Sequence, residues 1–141
     1  CIAGKCQLYD LAVHPSTHGT LEDGLASFAN GVLRLISDPQ AIKMWRLMMT
    51  EAECHPRVAL MFYETGPEES MRSLEAFLEH HRERLDTDDF DAAARTFVSL
   101  AKDCYQDRIL LGILDGLTDD ERRQHVARST ERFLRLFGAA N

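Results

Sequence analysis

The sequence predicts an all-α fold, an antiparallel bundle of about six helices, and three observations carry that expectation. Apolar residues recur at three- and four-residue steps, as in Leu21, Leu25, Phe28, Val32, Leu35 and Ile36. Helix starts are marked where such stripes begin: Thr20 with Asp23, Asp38 with Pro39, and Thr118 with Glu121. No segment alternates apolar and polar residues as a half-buried strand does.

The elements follow in order. The first helix opens at Thr20 and closes at Ser37-Asp38-Pro39, where Asp38 caps the second and Pro39 takes its first position. That second helix carries Ile42, Trp45, Met48, Met49 and Ala52. It ends at Cys54-His55-Pro56, because proline disfavours helical geometry in the residue before it. A short helix with Val58, Met61 and Phe62 runs to Gly66-Pro67. Met71, Leu74, Phe77, Leu78 and His81 line the next, which ends near Leu85. Thr87-Asp88-Asp89 caps a helix expected to run unbroken from Phe90 to Leu114. Its stripe of Phe90, Ala94, Phe97, Ala101, Cys104 and Tyr105 is widened by Ala93, Val98, Leu100, Ile109 and Leu111. A helix apolar over so much of its girth is covered on two sides, by the rest of a monomeric bundle or by a second copy. The last helix carries Val126, Thr130, Phe133, Leu134 and Phe137 and stops at Gly138.

Composition narrows the function classes. A chain of 141 residues is long enough for one domain with a real core. The longest apolar run, Ile109 to Leu114, is broken by Gly112 and falls far short of a membrane helix. A net charge of −7 repels a phosphate backbone, so these residues alone are not expected to grip nucleic acid. Cys1, Cys6, Cys54 and Cys104 form no CxxC pair, and the segment from Cys1 to Cys6 is no signal peptide. Reduced thiols and a cytoplasmic location are expected. Opening on Cys rather than Met implies that further residues precede the chain.

Catalytic chemistry has no purchase here. There is no Gly-x-Ser-x-Gly elbow, His-Glu-x-x-His pair or phosphate-cradling glycine loop, so no enzyme and no cofactor are expected. His80 and His81 adjoin Glu79 and Glu83, but neighbouring histidines on a helix diverge. His14 and His18 have ligand spacing, and Pro15 spoils the helix they would need. No metal site is expected. Trp45, Met48, Met49, Met61, Phe62, Tyr63, Phe77 and Phe97 remain, and bulky apolar residues at helical spacing serve either a core or an adaptable pocket between helices.

The order of the parts is itself distinctive. One helix ends in Ser37-Asp38-Pro39, and the next carries Trp45-Arg46-Leu47-Met48-Met49-Thr50-Glu51-Ala52 before the His55-Pro56 break. Phe62-Tyr63-Glu64 and Gly66-Pro67 follow, then an acidic cap, an Ala-rich helix and a closing Phe133-Leu134-Arg135-Leu136-Phe137-Gly138. From Leu21 to Gly138 this resembles the C-terminal domain of TetR-family transcriptional regulators. Gly4-Lys5-Cys6-Gln7-Leu8-Tyr9 resembles the segment that follows the recognition helix in that family.

The resemblance implies residues 1–14 as the remnant of a helix-turn-helix domain and its connector helix, and residues 20–141 as an effector-binding and dimerisation domain. It implies Lys5 against a DNA phosphate, and operator DNA bound through a helix-turn-helix absent from this sequence. It further implies a hydrophobic small-molecule effector among Trp45, Met48, Met49, Phe62, Tyr63, Phe77, Phe97 and Tyr105. The acidic balance would tolerate a cationic one. A homodimer through the last two long helices would use Val98, Ile109, Val126, Phe133 and Phe137. The chain departs from the family where His14-Pro15 cuts the connector short and where Arg84-Leu85 lacks a glycine. The alternative is a dimeric helical ligand- or protein-binding module without DNA binding.

Overall fold

A computed structural model describes residues 11–140, and the helices begin where side-chain caps start them. The Thr20 hydroxyl accepts from the Asp23 N–H while the Asp23 carboxylate accepts from the Thr20 N–H, a closed capping box that starts α1 (Leu21–Ser37). Asp38 accepts from the Ala41 N–H to start α2 (Pro39–Glu51). Prolines at their first positions open α3 (Pro56–Thr65) and α4 (Pro67–His80). A 3-10 turn at Arg82–Arg84 makes the next corner without a glycine. Asp89 caps α5 (Phe90–Lys102), and Thr118 caps α7 (Asp119–Phe137). Between them lies the six-residue α6 (Tyr105–Leu110). The described residues hold no strand, only an isolated antiparallel bridge between Leu85 and Gly138.

The single helix expected from Phe90 to Leu114 is therefore two. Asp103 breaks it, with φ 48° and ψ −137°, while its carboxylate accepts from the Cys104 N–H at 2.8 Å. A short polar side chain bonding the neighbouring backbone competes with helix propagation. The break deprives the Leu100 and Ala101 carbonyls of their next-turn partners. His125 and Ser129, each 1% exposed on α7, supply substitutes. His125 Nε2 lies 3.1 Å and 3.0 Å from those two oxygens, and the Ser129 hydroxyl lies 3.2 Å from the Leu100 oxygen.

Helix α1 runs through the middle and packs on α5 and α7. Three fully buried rings join these helices: Phe28 and Phe97 stand 6.2 Å apart, and Phe97 meets Phe133 edge-on at 5.2 Å. Such aromatic pairs add about 0.5–1.5 kcal/mol beyond the area they bury. Helix α4 closes onto α1 at Gly24, where a Cβ would stand 2.0 Å from the Phe77 ring. Helices α2 and α3 form a hairpin over the flank of this core.

Candidate functional site

Between α1 and the α2–α3 hairpin the packing leaves a cavity of about 130 Å³. Phe28, Val32 and Ile36 from α1 form its floor, Val98 and Lys102 from α5 one side, and Trp45, Phe62 and Tyr63 the cover. Trp45 stands edge-on to Phe62 with ring centroids 5.1 Å apart. The chain ahead of α1, through Leu11 and Val13, forms a further wall together with Pro67, Ser70 and Met71 of α4, and Gln106 of α6 also lines the cavity.

That strap is pinned. The Val13 N–H donates to the Ser70 hydroxyl at 2.7 Å, and the same hydroxyl donates to the Gly66 carbonyl at 3.0 Å. His14 Nδ1 lies 2.8 Å from the Ser73 hydroxyl, and the Ser16 N–H donates to the Ser27 hydroxyl at 2.7 Å. Gly31 makes room for it, since a Cβ there would come within 2.7 Å of Val13 Cγ1. An absent side chain on α1 thus lets the strap lie flat and close the cavity.

The lining is apolar with few polar groups. Ser70 is already committed to the strap. Lys102 is the one cationic side chain in it, with Nζ 5.8 Å from the Trp45 ring centroid. Burial pushes its pKa below the ordinary lysine value, and the Asp107 carboxylate opposes that shift. Among the described residues it makes no salt bridge. The arrangement can hold a small flat apolar body and offers one cation to it.

Of the eight residues expected around an effector, Trp45, Phe62 and Tyr63 line this cavity. Phe97 does not, being wholly enclosed between Phe28 and Phe133. Phe77 is buried against Gly24 and lines a different, open groove with His14, His80 and His81. Met49 is 61% exposed, and Met48 is outside the lining. Tyr105 instead packs edge-on against His125 at 4.9 Å. Lys5 falls outside the described residues. Sequence reasoning missed Leu11, Val13, Val32, Met71 and Lys102. A lysine one turn after Val98, on the apolar side of its helix, was the available signal for the last.

Of the five residues expected between two copies, three are taken into the core of their own chain and two are half-buried. Ile109, Val126 and Phe133 are buried within their own chain. Val98 lines the cavity, and Phe137 packs on Phe133 at 5.1 Å. The break at Asp103 sets Ile109 against α1 within the core, while Leu111 from the same stripe stays 75% exposed. Among the described residues no three His, Cys, Asp or Glu side chains are placed to share a metal. None of the described helices is long and apolar enough to cross a membrane.

Comparison with curated proteins by sequence gave no match. Among solved structures, the Flavonoid-responsive Regulator FrrA superposes with a TM-score of 0.84 at 29% identity, over 99% of this chain and 72% of that one. A TetR-family regulator from Mesorhizobium loti reaches 0.81 at 21% identity, over 98% and 71% of the two chains. A TetR regulator from Agrobacterium tumefaciens reaches 0.74 at 22%, over 98% and 70%. These last two speak for the all-helical fold alone. All three are transcriptional regulators rather than enzymes. Residues 23–139 match the family described as the C-terminal domain of AefR-like transcriptional repressors. With most of its length inside that match, the chain belongs to this TetR-type family of transcriptional regulators.

Proposed function

We propose that this domain is the effector sensor of a TetR-family repressor, binding a planar aromatic small molecule beneath Trp45 and controlling operator binding by a helix-turn-helix head. The observation that carries the reading is the strap: Leu11 and Val13 are both a wall of the cavity and the chain that enters α1. A ligand pressing on that wall acts on the segment leading toward the head. It must favour the state that releases DNA, since equal affinity for both states shifts nothing. A net charge of −7 leaves DNA contact to the head.

Size and a relative's behaviour support an aromatic ligand. A dry cavity of roughly 150 Å³ accepts benzene, so about 130 Å³ suits one ring as the domain stands. FrrA is described as flavonoid-responsive. A flavonoid's further rings would lift the α2–α3 cover, which buries only Ala41 and Phe62. The homodimer of the family would use the outer faces of α5 and α7 here, because the inner faces are spent on the core.

Trp45 is the chain's only tryptophan and covers the cavity, so its emission reports occupancy directly. Titration with the flavonoid chrysin should change that emission saturably at one site per chain. Val98→Phe, which fills the cavity, should abolish the change. A flat titration, or one that Val98→Phe leaves intact, overturns the reading.

A further inference from the structure

We infer that Lys102 is the anchor of this cavity, and that the ligand it takes is a planar aromatic carrying an acidic oxygen, phenol or carboxylate, set against its Nζ. The inference rests on the effector reading above and narrows its ligand class. Three observations converge on it.

The first is position. Lys102 closes α5 one turn beyond Val98, and both side chains line the cavity. The ammonium lies over the Trp45 ring at 5.8 Å and so flanks the same space as the indole. The second is the missing partner. None of the ion pairs among the described residues includes Lys102. A cation drawn out of water with no carboxylate at ion-pair distance, only the Asp107 charge farther off, is costly, and burial outweighs Asp107 in lowering its pKa.

The third removes the ordinary reason for a lysine at this place. A cation in a helix's last turn answers its free carbonyls. Here the Leu100 and Ala101 carbonyls are already bonded by His125 and Ser129. With Ser70 engaged by Val13 and Gly66, Lys102 is the one charged donor in the lining, beside the neutral donors of Trp45, Tyr63 and Gln106. An aromatic ring would take the apolar lining while its acidic oxygen met Nζ. The same cation excludes a positively charged ligand, against what the chain's acidic balance would allow.

Calorimetric titration with chrysin, which carries acidic hydroxyls, and with its dimethyl ether, which carries none, tests this. The protein should prefer chrysin by roughly 10- to 100-fold, the range of a charge-assisted hydrogen bond. Lys102→Met should erase the preference while leaving the melting temperature of the empty domain unchanged or higher, and Lys102→Arg should restore most of it. Equal binding of the two compounds by the unaltered protein would overturn the anchor and leave the effector reading standing, a comparison that needs no variant to fold. Persistence of the preference in Lys102→Met would do the same. Binding of neither compound would overturn both.

Discussion

The α1–α5–α7 half and the α2–α3 hairpin belong to one chain but are built to different standards. In the first, Phe28, Phe97 and Phe133 are fully enclosed, and even the polar His125 and Ser129 are sealed in with their acceptors. In the second, only Ala41 and Phe62 are buried, while Met49, Leu60, Met61 and Tyr63 each stand more than half exposed. The hairpin is tied down from the middle of α2 by Arg46, whose guanidinium donates to the Ile109 and Leu110 carbonyls at 3.1 Å each. The cavity lies along this boundary. Dense packing fixes its floor, and sparse packing leaves a cover that can yield, which is where local opening costs least.

This contrast can be broken by substitution. Phe133→Ala should cost about 3–5 kcal/mol in urea unfolding, because it empties a fully packed site. Trp45→Ala, on the partly exposed cover, should cost less than half of that and abolish the response to chrysin while leaving the proposed dimer intact. Equal losses at the two positions, or loss of the dimer with Trp45, would remove the distinction between the halves.

The α5–α7 seam sharpens it further. His125→Ala strands the buried Ala101 carbonyl and leaves the Leu100 carbonyl to Ser129 alone, and should cost about 1–3 kcal/mol, read by urea unfolding. Asp103→Gly should act in the opposite sense, gaining about 1 kcal/mol in the same measurement, since its φ of 48° suits glycine and strains an aspartate. A destabilised Asp103→Gly would mean that the carboxylate bond to the Cys104 N–H outweighs the strain.

The smallest effect lies at the surface. Arg84 lies 2.6 Å from Glu22, and that hydrogen bond holds the Glu22 carboxyl below its ordinary value. A lowered folded-state pKa means stability present above the unfolded value and lost as pH falls through the folded one. With both side chains well exposed, the contribution should stay below about 1 kcal/mol. Arg84→Gln should flatten that part of the acid limb in a pH series of melting curves.

The helices were legible because their starts are written in short-range chemistry. Thr20, Asp38, Asp89 and Thr118 each accept the N–H three residues on, and such caps need nothing from the rest of the fold. The break at Asp103 was not legible. No glycine or proline marks it, and the groups that stabilise it, His125 and Ser129, come from another helix. The site was legible in part for a related reason. Helical spacing says that Trp45, Phe62, Phe77 and Phe97 face inward, but not whether another side chain or a void awaits them. Phe97 met Phe28 and Phe133, whereas Trp45 and Phe62 met space. Lys102 escaped notice because a charged residue reads as solvated surface until its surroundings are known.

The most direct test of the account is amide exchange at Val13, whose N–H is held by the Ser70 hydroxyl on the cavity wall. If occupancy is passed to the strap, saturating chrysin should change the Val13 exchange rate several-fold and leave Phe133 in the packed half unmoved. Full occupancy at Trp45 with Val13 exchanging as before would contradict it, because a filled cavity would then have no path toward the head.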